Sequence, residues 1–200
     1  MKRVNPLTPA PGLLIQRGFL DATTCGDIRA AMDRGASEAA EVAGETIALR
    51  ETIRRATNVD VEPQLLHAVE HRLDAARALI ERTIRQPLGG REGTGFLRYP
   101  PGGFYRPHRD RGKVAGWPAA ARRVVTVVIF LNSALAAPDG PGFSGGQLLV
   151  YPAARTLEIS PETGMLVAFR AEFLHEVRVV NGGFRDTAVD WFYDPPAHEP

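Results

Sequence analysis

Arg122-Arg123-Val124-Val125-Thr126-Val127-Val128-Ile129-Phe130-Leu131-Asn132 holds seven apolar residues in the eight positions from Val124 to Leu131, most of them β-branched. Such a run packs well on a pleated surface and predicts a strand over 122–131. Outward from it, the same half of the chain reads as further short strands: 95–99 and 104–110 before it, then 146–151, 155–159, 164–170, 174–180 and 185–193 after it. Turn signals separate them, at Pro100-Pro101-Gly102-Gly103, the Pro/Gly run 138–146, Pro161-Glu162-Thr163-Gly164 and Asn181-Gly182-Gly183. About eight strands at this spacing predict a two-sheet jelly roll.

Composition shifts near Leu88-Gly89-Gly90, and the Ala/Arg/Glu-rich chain before it reads as helical. A short strand is expected over 12–20, then a helix capped by Asp21 and running to about Arg34, where Gly35 can end it. The stretch 36–60 resists assignment. From Glu62 to Gln86, Leu65, Leu66, Val69, Leu73, Ala76, Ile80 and Ile84 recur every three or four residues, the stripe of one amphipathic helix. Pro63 sits in its first turn and Pro87-Leu88-Gly89 stops it. The expectation is an α+β fold with N-terminal helices packed on the outside of one sheet. Residues 1–94 would be a mainly helical support region, 95–194 the β core of the same integrated domain, and 195–200 a tail.

At 200 residues, 44% hydrophobic and 24% charged, the chain has the composition of one soluble globular domain. The net charge of +1 supplies no global field for nucleic acid or an anionic membrane, and neither partner is expected. A single cysteine, Cys25, rules out an internal disulfide and a thiolate zinc cluster. The apolar run Leu13-Leu14-Ile15 is too short for a signal-peptide core or a membrane span, so a reducing cytoplasm is the expected location.

Chemistry concentrates in Phe104-Tyr105-Arg106-Pro107-His108-Arg109-Asp110. On a strand, alternation points His108 and Asp110 to one face. An imidazole and a carboxylate converging this way suit a divalent first-row metal, and a second histidine completes a facial set that leaves coordination positions open. His175, in the strand-like segment 173–179, is the histidine the barrel can bring there; His198 lies in the Pro-flanked tail. Ten residues after His175 comes Arg185, whose face of the next strand also carries Thr187, Val189 and Trp191. A guanidinium inside a barrel must be paired, and a dicarboxylate would satisfy it through a bidentate fork, with Thr187 in support.

These pieces, in this order, resemble the catalytic domain of prolyl 4-hydroxylase-like iron(II)/2-oxoglutarate dioxygenases. The matching stretches are Leu97 to Gly102, His108-Arg109-Asp110, Arg122 to Asn132, Gly145 to Leu148, Pro161 to Phe169, Leu174 to Val177, Gly183-Phe184-Arg185 and Trp191-Phe192. The segment Gly18-Phe19-Leu20-Asp21 also looks like the family's N-terminal entry. The resemblance implies a double-stranded β-helix in which His108, Asp110 and His175 bind Fe(2+). It implies that 2-oxoglutarate chelates the metal and sets its distal carboxylate on Arg185, with Tyr99 and Leu148 lining that pocket. It further implies O2 as co-substrate, release of succinate and CO2, ascorbate as an auxiliary reductant, and hydroxylation of a C–H bond in a prolyl residue or an amino-acid-like small molecule. Phe130 departs from relatives that place a tyrosine against the distal carboxylate; Thr187 or Thr126 is the expected substitute. Trp117 and Arg111, in the segment 111–118 just past Asp110, form with 133–144 the expected substrate lid.

Two other function classes share this barrel. A non-catalytic sensor of metal or 2-oxoglutarate would bind both without forming succinate. Relatives that dealkylate nucleic acids carry a second arginine six residues after the first, where this chain has Trp191. His67-Ala68-Val69-Glu70-His71 matches a zinc-peptidase pattern, but at 100° per residue both histidines fall opposite the apolar stripe. The glycine pairs at 102–103, 145–146 and 182–183 read as corner turns, Cys25 as a buried inert thiol, and the arginines of 72–85 as a solvated face.

Overall fold

The computed structural model describes residues 7–40, 52–113, 117–134, 142–153 and 155–196, with the backbone of two short strands at 42–43 and 47–48. The chain opens with β1 (Leu7–Ala10), β2 (Leu13–Gln16), α1 (Ala22–Met32) and β3 (Ser37–Ala39), followed by β4 (Val42–Ala43) and β5 (Ile47–Ala48). Next come β6 (Arg54–Arg55), β7 (Thr57–Val59), the long α2 (Pro63–Ile84), β8 (Gly95–Tyr99) and β9 (Phe104–His108). The remainder is β10 (Arg123–Phe130), β11 (Ser144–Gly145), β12 (Leu148–Tyr151), β13 (Leu157–Ile159), β14 (Leu166–Arg170), β15 (Leu174–Val177), β16 (Val180–Gly182) and β17 (Arg185–Tyr193).

Two antiparallel sheets carry the molecule. The larger has the order β1-β2-β14-β10-β17-β8-β7-β3 and the smaller β13-β12-β15-β9-β6. The apolar run 122–131 forms β10, buried at every residue, between β14 and β17. Its side chains alternate by pleat. Val125, Val127 and Ile129 join a cluster with Cys25 and Ile28 of α1 and Val69, Leu73, Ile80 and Ile84 of α2. Val128 and Phe130 face the other way, among Leu148 and Val150 of the smaller sheet. Asp21 caps α1 by accepting the Thr24 N–H at 2.8 Å, and Arg85 ends α2 in the left-handed conformation at φ 57°.

The N-terminal portion is less helical than its composition implies. The segment expected as one strand over 12–20 is a hairpin, β1–β2, turning at Pro11-Gly12, and β2 pairs along β14 within the larger sheet. The unassigned stretch 36–60 supplies β7, which pairs with β8, β3, which pairs with β7, and β6, which pairs with β9. These strands are two or three residues long, with β3 and β6 at sheet edges and β7 next to β3, so they carry no run of alternation to read. In the second half the strand expected over 104–110 stops at His108, and that over 174–180 breaks after Val177 and restarts at Val180. No helix among the described residues is long and apolar enough to cross a membrane.

One turn ties the two halves together. Gly164 donates its N–H to the Phe130 carbonyl at 2.8 Å and accepts the Leu20 N–H at 3.1 Å. Its φ is +74°, and an added Cβ would lie 2.0 Å from the Leu20 oxygen, a backbone atom with no flexible end to yield. Gly164→Ala is therefore expected to cost at least about 1–3 kcal/mol from the left-handed conformation alone. A urea denaturation midpoint indistinguishable from the parent's would contradict that.

Candidate metal and co-substrate site

β9 and β15 are antiparallel neighbours, and His175 stands directly opposite His108 in their register. Both rings therefore leave the same face, with centroids 4.1 Å apart. Asp110 lies two residues beyond the end of β9, not on the strand as expected, and its N–H donates to the Ala171 carbonyl at 3.0 Å. That bend still brings the carboxylate between the rings. Oδ1 is 3.5 Å from His108 Nε2, and Oδ2 is 3.4 Å from His175 Nε2. One ligand atom from each residue lies within 4.8 Å of the others, and no other such group of three occurs among the described residues.

The imidazoles are oriented from behind. His108 Nδ1 meets the Arg106 carbonyl at 2.8 Å and His175 Nδ1 the Phe173 carbonyl at 3.0 Å. A carbonyl only accepts, so Nδ1 of each ring carries a proton, and Nε2 is the nitrogen that each ring turns inward. Burial, reinforced by the neighbouring His175, pushes the His108 pKa down to about 4. Burial opposes charge on Asp110, yet His175 and His108 hold its carboxyl well below the usual carboxylate range. For His175, burial is outweighed by Asp110, and the pKa rises. The outcome at neutral pH is an anionic carboxylate beside a neutral His108, a donor set of two nitrogens and one oxygen that fits a divalent first-row metal.

Arg185 opens β17 opposite Tyr99 of β8 and is 1% exposed. Its guanidinium carbon sits 4.9 Å from the Tyr99 ring centroid and 5.1 Å from that of Phe130. Among the described residues, Nε has no hydrogen-bond partner, and neither does the buried hydroxyl of Thr187 on the same face of β17. Burial lowers the Arg185 pKa to about 10, which leaves it cationic at neutral pH. A buried cation with an orphaned N–H beside an orphaned hydroxyl fits an incoming carboxylate. Phe130 thus presents a ring face to the guanidinium where a tyrosine would add a hydroxyl. Arg185, Thr187, Tyr99 and Leu148 line one cavity with the His108/Asp110/His175 group, of about 230 Å³.

Of the two expected substitutes for the missing tyrosine hydroxyl, Thr126 is engaged elsewhere. Its hydroxyl donates to Asp110 Oδ2 at 2.7 Å, and Trp191, read as a wall, donates its indole N–H to the same oxygen at 2.9 Å. Of the two expected lid residues, Trp117 lines the cavity, whereas Arg111 points to Asp194, 3.7 Å away. Residues 114–116 and 135–141 of the lid segments, and His198, lie outside the described residues. Ile53, Arg54 and Arg123 also line the cavity without having been anticipated. Only a β-bulge between Arg123 and Val125 sets Arg123 on the cavity face, and such a bulge leaves no mark on the hydrophobic pattern. His67 and His71 are exposed on α2 and belong to no group of three potential metal ligands among the described residues, and the buried Cys25 thiol is pushed up to about 11 by burial.

The profile of the 2OG-Fe(II) oxygenase superfamily matches residues 94–193, from just before β8 to the end of β17. The chain belongs to this superfamily. Among curated proteins, it is 31% identical over 131 residues to a PKHD-type hydroxylase of Picosynechococcus sp., covering 66% of this chain and 52% of that protein. A PKHD-type hydroxylase of Rippkaea orientalis is 31% identical over 99 residues, 48% of this chain and 40% of that one. The chain thus spans about half the length, or less, of these curated relatives. Among solved structures, a Pseudomonas putida prolyl-4-hydroxylase superposes with a TM-score of 0.69 at 28% identity, covering 94% of this chain and 95% of that one. A Trichoplax adhaerens prolyl hydroxylase, solved with a hypoxia inducible factor peptide, superposes with a TM-score of 0.73 at 21% identity over 92% and 84% of the two chains.

Proposed function

We propose that this oxygenase-superfamily chain is an iron(II)- and 2-oxoglutarate-dependent hydroxylase acting on a C–H bond of a prolyl residue or of an amino-acid-like small molecule. The observation that carries the reading is the convergence of His108, Asp110 and His175 within 4.8 Å, in the same cavity as the Arg185 Nε, which has no partner among the described residues. Bound iron(II), with 2-oxoglutarate and O2, supplies the oxidising chemistry, with succinate and CO2 as co-products; ascorbate would serve only to keep the metal reduced.

In this reading the chain's own residues bind, orient and shield. His108 and His175 offer Nε2, Asp110 an anionic oxygen, and Arg185 with Thr187 holds the distal carboxylate of 2-oxoglutarate. Tyr99 and Leu148 fill the walls beside that carboxylate and keep water from it. Trp117 stands where an entering substrate passes. The peptide bound by the Trichoplax adhaerens enzyme supports a peptidyl substrate, and the P. putida likeness supports proline. The double-stranded β-helix of 95–194 is the catalytic framework, residues 1–94 buttress it, and the location is cytoplasmic.

Two measurements test the function together. Adding 2-oxoglutarate to the anaerobic iron(II) protein is expected to produce a visible charge-transfer band, because the three protein ligands leave room for a chelating keto acid. Admitting oxygen with prolyl peptides or free amino acids should then yield succinate matched by a product heavier by one oxygen atom. A band without succinate for any substrate would mark a sensor. The absence of both would overturn the reading.

A further inference from the structure

We propose that Thr126 and Trp191 are positioning residues that restrict Asp110 to a single metal-ligating oxygen, Oδ1, and that Arg123, clamped by Glu92, holds Trp191 to that task. The inference rests on the metal-centre reading above.

Each carboxylate oxygen offers two acceptor positions in the carboxylate plane. On Asp110, Oδ2 receives the Thr126 hydroxyl at 2.7 Å and the Trp191 indole N–H at 2.9 Å, so both of its positions are taken. Oδ1 faces His108 Nε2 at 3.5 Å and Oδ2 faces His175 Nε2 at 3.4 Å, but Oδ1 receives neither of the two donors. A metal between the two imidazoles meets free lone pairs on Oδ1 alone. The difference has a chemical consequence, since a chelating carboxylate would occupy a coordination position that a keto acid or oxygen needs.

The indole needs its own support, because a tryptophan with one hydrogen bond has alternative rotamers that would break it. Trp191 has that support on its face. The Arg123 guanidinium lies 3.9 Å from the Trp191 centroid and 4.4 Å from that of Trp117, between two indoles. Glu92 takes the guanidinium as a fork, Nε to Oε2 and the terminal nitrogen to Oε1. The Arg123 side chain is 4% exposed, and Glu92 matches its buried charge. The bulge between Arg123 and Val125 turns this guanidinium from the helix side to the cavity side. A wall that merely excluded water would need neither the aimed N–H nor the fork.

The test is manganese(II) binding, followed by the electron paramagnetic resonance of the free ion, with near-ultraviolet circular dichroism reporting that each variant is folded. Thr126→Val and Trp191→Phe, which keep the packing and remove one donor each, are expected to weaken manganese(II) about 10- to 100-fold. Thr126→Ser, which restores the hydroxyl, should recover most of the loss. Arg123→Lys keeps the charge but loses the planar stack and the fork, so it should weaken the metal in the parent and add nothing in the Trp191→Phe background. Additive losses from those two substitutions would sink the claim that Arg123 acts through Trp191. If the Thr126→Val/Trp191→Phe double variant binds manganese(II) like the parent while Asp110→Ala does not, the positioning role is wrong and the metal centre stands. If Asp110→Ala also binds like the parent, the metal-centre reading fails and takes this inference with it.

Discussion

Arg185→Ala is expected to weaken 2-oxoglutarate binding by about 2–4 kcal/mol, about 30- to 1000-fold, without loss of metal. The size follows from the surroundings of the guanidinium. It is held between Tyr99 and Phe130, its Nε without a partner among the described residues, so a carboxylate arriving there meets a cation already stripped of water. Arg185→Lys preserves charge without the planar fork and should fall between the parent and the alanine variant. A second consequence separates binding from folding. A buried cation without a carboxylate partner costs stability, so Arg185→Met, which keeps the length of the stem, is expected to raise the unfolding temperature of the metal-free protein. Calorimetric titration of 2-oxoglutarate into the manganese(II)-loaded variants reads the first effect and thermal unfolding the second. Parent-like 2-oxoglutarate affinity in Arg185→Ala would remove the arginine from the co-substrate site.

What could be read from the sequence, and what could not, divides by the range of the determinant. The β10 run declares itself because seven apolar residues in eight positions leave little else for it to be. His108 and Asp110 are legible because two residues of separation keep side chains close whether the strand continues or, as here, ends at His108. Arg185 is legible from alternation along β17, a nine-residue strand paired with β10 on one side and β8 on the other. By contrast, β3, β6 and β7 are defined by pairing with β7, β9 and β8, respectively, and their own residues are polar or few. Thr126 illustrates a subtler limit. Its face was readable, but whether its hydroxyl meets Arg185 or Asp110 depends on how far apart the two sheets lie. Arg123 needed knowledge of the bulge. None of these determinants is local, so no pattern along the chain reports them.

The alternation of β17 has a second face, and it governs stability. Arg185, Thr187 and Trp191 line the cavity, and the intervening Asp186 and Asp190 are buried on the opposite side. Asp190 accepts from Arg91, from the Thr94 hydroxyl and from the Gly93 N–H, which secures the approach to β8. Asp186 is fully buried and takes Arg98 as a fork, at 2.7 and 3.0 Å, and Arg29 of α1 at 3.0 Å. This carboxylate joins β8, β17 and α1 at the strand position next to Arg185.

Asp186→Ala is accordingly expected to destabilise the fold by about 3–5 kcal/mol, the range for removing one partner of a buried ion pair. Arg98 would retain Asp33 at 2.8 Å, which places the effect toward the lower end. Even so, it is a large part of the roughly 5–15 kcal/mol that holds a typical domain together. Asp33 supplies the control. Its side chain is 65% exposed, and Asp33→Ala should cost no more than about 1 kcal/mol, as surface pairs do. Salt distinguishes the two, because screening reaches the exposed Asp33 contact and hardly touches Asp186. Urea denaturation at low and high ionic strength reads both. A deficit for Asp186→Ala below about 0.5 kcal/mol, the range of an inconsequential surface change, would show that the arginines find other partners and that the network is dispensable.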